Sequence, residues 1–258
     1  MPSLSFTALP GLPEIEPGAD LAQEILAALG RCGLVLFARD VVIVAQKIIS
    51  KAEGRTVELG SVVPSHEALR LAAVTGKDPR LIEVILGESE EVVRAASHVL
   101  IVRHRLGFVM ANAGVDRSNV PHSAADGARS ERLLLLPRDP DASAARLQRA
   151  LADRSGVALG VIVSDSFGRP WRRGVLNVAL GSAGIPALID RRGERDREGR
   201  VLEVTEVAYA DALAAGAALV MGEAAEGTPV VIARGHHSSA PERSARALLR
   251  PKEEDLFR

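Results

Sequence analysis

Short apolar runs alternate with amphipathic stretches along the whole chain. The runs "VVIVAQ" (41–46), "RLLLLP", "VALGVIV" and "TPVVIARG" are compact and apolar, the pattern of strands. "LSFTALP" reads as a short first strand, and "HVLIVRHRLGFVMANAG" as two strands around a tight "HRLG" turn. Helical patterns lie between them. Asp20 caps "LAQEILAAL", with Gly30 as its stop. "SHEALRLAAVTG" and "DPRLIEVILGES" follow, the second opened by Asp78 as cap and Pro79 at the first helical position. "DPDASAARLQRALADRSG" is another Pro-initiated helix, and "TEVAYADALAAGAALVMGE" a long Ala-rich one. "GVLNVALGSAGI" is an apolar stretch interrupted by Gly, "IDRRGERDREGRV" a charged hairpin, and the tail after "TPVVIARG" is peripheral. The loop over 116–131 is long enough to suggest function or disorder. Strands and helices in alternation predict an α/β, mixed α+β architecture. The stretch 1–258 reads as one region, with room for two closely packed subdomains, and shows no repeat of fixed period.

Composition narrows the picture. Hydrophobic residues make up 47% and charged residues 25%, ordinary for a globular chain of 258 residues. Aromatics are only 3%, so Ala, Val, Leu and Ile must build the core. A net charge of -1 gives no global attraction to nucleic acid or an anionic membrane. The single Cys32 excludes an internal disulfide and any Cys-based metal cluster. The N-terminus lacks a basic segment followed by an apolar one, and no apolar run approaches the ~20 residues of a membrane span. A cytoplasmic setting is the expectation.

Standard nucleotide and hydrolase motifs are missing: no G-x-x-x-x-G-K-[ST] P-loop, no G-x-G-x-x-G Rossmann fingerprint, no H-E-x-x-H and no G-x-S-x-G. Four places instead combine a strand or helix end with polar side chains. "VIVAQKIISKAEGR" sets Lys47 and Lys51 four apart, on one face of a helix, where they suit phosphate oxygens or make a solvated basic edge. "ANAGVDRSN" offers Asp116 and Asn119, a hard-oxygen pair for Mg²⁺ or Mn²⁺ or a simple Asx turn. In "VSDSFGRPWRRG", Asp165 and Ser166 leave a strand together to face one cation, and Arg169, Arg172 and Arg173 suit anionic phosphate. The alternative there is a loop whose arginines pair with the acids of 190–200. "LVMGEAAEGTPVV" places Glu223 and Glu226 after a helix C-terminus, where a carboxylate is disfavoured unless a cation relieves it. His236 and His237 are adjacent, so they point to different sides of an extended chain and make a poor metal pair. "RRGERDREGR" reads as a solvated hairpin, since its acids dilute its arginines and no aromatics interleave.

"LPGLPEIEPGADL", "VVIVAQKIISKAEGR", "NAGVDRSNV", "VIVSDSFGRPWRRG", "TEVAYADALAAGAALVMGE" and "EGTPVVIARG" stand in the order found in the coenzyme F420 gamma-glutamyl ligases. The resemblance runs from about Leu9 to the end. It implies a mixed-sheet fold outside the standard nucleotide-binding folds, forming an intertwined homodimer with sites near the interface. It implies an enzyme that adds L-glutamate through a γ-linked amide to the deazaflavin F420 precursor, with GTP as co-substrate and Mn²⁺ or Mg²⁺ as cofactor. A monovalent cation such as K⁺ is a further candidate. By resemblance, Asp116, Asp165, Ser166 and Glu223 hold metal, Glu223 standing where the family commonly has Gln. Gly11, Leu12, Pro13, Glu14, Gln46, Lys51, Asn119 and Gly222 meet the nucleotide, Gln46 replacing the frequent Ser or His. Asp165 and Arg169 are the expected catalytic pair. The small-molecule partners are then the precursor, glutamate and GTP. The stand-alone form, without a C-terminal flavin-binding domain, is expected. Two other readings use the same residues: a metal-dependent phosphohydrolase, and a non-catalytic nucleotide- or deazaflavin-binding protein.

Overall fold

The computed structural model describes residues 3–118, 131–235 and 237–255. Asn119, most of the loop 116–131 and His236 lie outside the described residues. The fold is a mixed α/β arrangement. Its main sheet has five strands, β1 (Ser5–Ala8), β12 (Val230–Arg234), β2 (Val41–Ala45), β8 (Gly160–Gly168) and β9 (Val175–Ala183), in that spatial order. β2 and β8 run parallel, and the other neighbours are antiparallel.

Strand alternation divides this sheet between two cores. Val42, Val44, Val161, Val163, Val230 and Ile232 face one side, with α1 (Leu21–Arg31), α2 (Gln46–Ala52) and α5 (Pro140–Ser155). Val41, Ile43, Ile162, Val231 and Ala233 face the other, against Tyr209, Leu213 and Ala217 of α6 (Tyr209–Met221). That is why the strands read as continuous apolar runs. The expected caps are in place: Asp20 accepts from Gln23 N at 3.1 Å, and Asp139 from Ala142 N at 3.0 Å.

Between α2 and α5 the chain builds a second lobe. β3 (Thr56–Glu58) pairs with β7 (Arg132–Leu134), while β4 (Ser89–Ala96), β5 (Val99–His104) and β6 (Val109–Ala111) form a three-stranded sheet. Helices α3 (His66–Thr75) and α4 (Pro79–Gly87) close a core of Leu59, Leu71, Ile82, Ile85, Leu100 and Leu133. Phe108 and Met110 of this lobe pack with Leu136 and Leu180. Phe108 also meets Phe167 edge-on, with ring centroids 6.1 Å apart. The lobes are therefore joined through apolar contact beside β8 and β9.

Three expectations change. Gly30 does not stop α1, which continues through Arg31; the left-handed residue is Gly33, with φ 65°. The strand beginning "VALGVIV" does not end at "SDSFG" but carries it in β8, paired residue by residue with β9 as far as Gly168 and Val175. The long Ala-rich helix is preceded by a strand, β11 (Glu206–Ala208), paired with β10 (Leu188–Asp190). Among the described residues no helix is long and apolar enough to cross a membrane.

Candidate active site

The parallel pairing of β2 and β8 places Ala45 beside Ser164, so both strands deliver their next residues to the same sheet end. Beyond β2, α2 supplies Gln46, Lys47 and Lys51; beyond Ser164, β8 supplies Asp165 and Ser166. β12 runs the other way, so the turn from α6 into it, Gly222 to Pro229, crosses the same end. The segment Leu12–Ile15 and Asp116 complete the walls of a cavity of about 320 Å³. An isolated bridge to Leu134 fixes Asp116, which links the cavity to the second lobe. Strand ends of this kind commonly carry ligands in α/β proteins.

Alternation also sorts the polar side chains. Ser164 and Ser166 follow Ile162 toward α6, whereas Asp165 follows Val163 toward α2. Asp165 is pushed up to about 7, first by burial and then by the carboxylates of Asp116 and Glu223; Lys47 and the Ser166 N–H act against this. Asp116 goes the other way. Burial raises it, but the Lys47 ammonium and the Ser118 N–H outweigh burial and hold it below the usual carboxylate range. Lys47 Nζ lies 2.5 Å from Asp116 Oδ2 and donates to Ser118 Oγ at 2.6 Å. Lys51, one turn on, pairs with Glu14. Gly222 has φ 78°, a left-handed backbone conformation that favours glycine, in the turn beside Glu223.

The structure brings together Leu12, Pro13, Glu14, Gln46, Lys51, Asp116, Asp165, Ser166, Gly222 and Glu223 around this one cavity. Gln46 is buried with its Oε1 accepting from Ser50 Oγ at 2.8 Å, so its side chain is held within α2. Two expected residues do not line the cavity. The Gly11 carbonyl accepts from Arg31 at 2.7 Å, and Arg169 donates to the Gly174 carbonyl at 3.3 Å in the β8–β9 hairpin. Among the described residues no ion pair links Arg169, Arg172 or Arg173 to the acids of 190–200; Arg191 and Arg192 pair with Glu194 and Asp190 instead. Ser164 and Asn177 also line the cavity, and the sequence reading gives neither a role. Each is a polar residue inside an apolar strand, 1% and 4% exposed, and Ser164 Oγ and Asn177 Oδ1 have no hydrogen-bond partner. That interruption was the available signal.

The donor chemistry suits a hard divalent cation: carboxylates from three parts of the chain, a hydroxyl, and an excess of negative charge around a buried carboxyl. The geometry is not closed around one, for among the described residues no three His, Cys, Asp or Glu side chains gather tightly enough to hold a metal ion. Lys47 and Lys51, each paired with one of the acids, bring positive charge suited to phosphate to the same cavity.

Comparison with known proteins places the chain in a family. The family model described as F420-0:Gamma-glutamyl ligase matches residues 11–235. The chain is 46% identical over 258 residues to the coenzyme F420:L-glutamate ligase of Methanothermobacter thermautotrophicus, covering 99% of each. It is 45% identical over 263 residues to the protein of that name from Methanopyrus kandleri, covering 100% of this chain and 99% of the relative. For the Haloarcula marismortui protein of that name the identity is 43% over 261 residues, covering 97% and 94%.

Proposed function

The chain belongs to the F420-0:gamma-glutamyl ligase family, and on that premise we propose that it joins L-glutamate, through a γ-linked amide, to the precursor of the deazaflavin coenzyme F420, with GTP as the co-substrate. The observation that supports this best is the cavity itself. One sheet end carries Asp116, Asp165 and Glu223 against Lys47 and Lys51, the charge layout that a nucleotide triphosphate with its cation requires.

In this reading a carboxylate oxygen of the precursor attacks the γ-phosphorus, and the bond from that phosphorus to the β–γ bridging oxygen breaks to release GDP. The amine of glutamate then attacks the acyl carbon, loses a proton, and the carbon–oxygen bond to phosphate breaks. Asp116, Asp165 and Glu223 would hold Mn²⁺ or Mg²⁺, which offsets phosphate charge when bound, and Ser166, on the other face of β8 from Asp165, would reach a cation only on the α6 side. Lys47 and Lys51 neutralise phosphate oxygens as ammonium groups. Ile15, Ile48 and Met221 keep water from the acyl phosphate. Exposed Trp171, Val175 and Leu176 on the β8–β9 hairpin offer an apolar edge for the homodimer. Arg169 beside them acts on the precursor only if that assembly carries it to a cavity.

Mass spectrometry of a reaction holding precursor, glutamate, GTP and Mn²⁺ tests the reading. A mass gain of one glutamyl unit with GDP release is expected. GTP hydrolysis without incorporation makes the chain a phosphohydrolase, and binding without either product makes it a carrier.

A further inference from the structure

The two lysines of α2 are engaged with acids, Lys47 with Asp116 and Lys51 with Glu14. Lys47 matters more, because its partner belongs to the acid cluster. The pair is half-buried, with 29% and 26% of the side chains exposed. Lys47 is the cation that bears on Asp165, while Asp116 and Glu223 bear on it with like charge. An ammonium and a divalent ion cannot both occupy the space beside one carboxylate oxygen, since they compete for its lone pairs and repel each other. A second observation points to a ligand: the wall beside the acids holds two buried oxygens, Ser164 Oγ and Asn177 Oδ1, without partners.

We propose that Lys47 is the place-holder for the cavity's cation. Its ammonium holds the Asp116 carboxylate until a divalent ion takes that carboxylate over, and the exchange frees Lys47 to swing on its flexible stem onto the nucleotide phosphates. The inference rests on the cation and nucleotide reading of this cavity. Cation and nucleotide then bind in a coupled way: the first releases the charge that the second requires.

Titration calorimetry reads this without turnover. Mn²⁺ is titrated into wild type and Lys47→Met without nucleotide, and GDP is then titrated with Mn²⁺ saturating. Lys47→Met should bind Mn²⁺ about tenfold more tightly and GDP about tenfold more weakly, opposite signs that general damage to the site does not produce. In an Asp116→Asn background, Lys47→Met should no longer tighten Mn²⁺, because the competed carboxylate is gone. Melting curves confirm folding, and Lys47→Gln replaces Lys47→Met if the latter is unfolded. Equal or weaker Mn²⁺ binding by the folded variant, while wild type binds the ion, overturns the exchange alone. Failure of both proteins to bind Mn²⁺ overturns the cation reading beneath it and the exchange with it.

Discussion

Two acid centres of this chain use the same residue types to opposite ends. In the second lobe, Glu88 accepts from Arg55 at 2.6 Å, and the same oxygen lies 3.6 Å from His104 Nε2. Arg55 also donates to the Leu136 carbonyl at 2.9 Å. His104 and Arg55 hold the Glu88 carboxyl below the usual range despite its burial. At the end of the main sheet, Asp165 has burial without an adequate cation, and its neighbours Asp116 and Glu223 add like charge. The first centre satisfies its charge internally and so contributes to stability. The second is left in deficit, which in the proposed function a bound cation would offset. A buried acid that lacks its own cation marks where a ligand belongs.

Removing the deficit should produce the largest effect. Asp165→Asn keeps side-chain volume and deletes the charge, so ligase turnover should fall roughly 10²-fold or more, several kcal/mol of lost charge stabilisation. Stability of the ligand-free protein should move the other way. A carboxyl raised from 3.8 to about 7 is protonated in the folded chain and ionised in the unfolded one between those values. Wild type therefore loses stability as pH rises through that window, and the Asn variant does not. The difference in melting temperature should be near zero at pH 4 and reach a plateau of a few degrees, in favour of the variant, above pH 7. A destabilised variant with near-normal turnover would remove Asp165 from the site.

The satisfied centre should answer differently. Glu88→Gln leaves Arg55 with a weaker acceptor in a part-buried place, and about 1–3 kcal/mol of stability should be lost at neutral pH. Turnover per folded molecule should not change. A lowered carboxyl contributes above its ordinary value of 4.5, and that contribution is lost as pH falls through the folded value. The gap between variant and wild type should therefore close in acid, as the Asp165 gap does, but with the opposite sign, since here the variant is the less stable of the pair. Thermal melts across pH 3–8 would show it; a gap that widens in acid would contradict the assignment.

This contrast was only half legible in the chain. Elements with one dominant signal were readable: the apolar run of β2, and the helices α4 and α5 with their Asp–Pro starts. β4, "SEEVVRAA", was not, because its charged positions and its register shifts against β5 blur the alternation. The polar continuation of β8 looked like a loop because nothing local shows that β9 will pair with it. The residues of the cavity wall were legible as strand-end and helix-end chemistry. Their pairings were not, since Lys47 with Asp116 joins positions from two lobes, and Glu88 meets His104 only through the folding of β5. Ser164 and Asn177 gain meaning only once burial shows that their oxygens lack partners.

The smallest effect should come from Glu223→Gln, which tests how far the deficit extends. Glu223 shares the cavity with Asp165 and adds to its like-charge burden, but its own side chain is exposed on the turn after α6. Solvent screens an exposed carboxylate, so its removal should change turnover by roughly threefold or less. Gln keeps an oxygen of the same reach for a cation. The variant also relieves a negative charge near a helix C-terminus. Its ligand-free melting temperature should therefore rise, though by less than in Asp165→Asn. Turnover and melting measured side by side decide between two pictures. If Glu223→Gln costs as much activity as Asp165→Asn, the two carboxylates act as one electrostatic unit and exposure does not dilute the second. If the change is small, the deficit that makes this sheet end a binding site is concentrated on Asp165, where burial rather than the number of acids sets its strength.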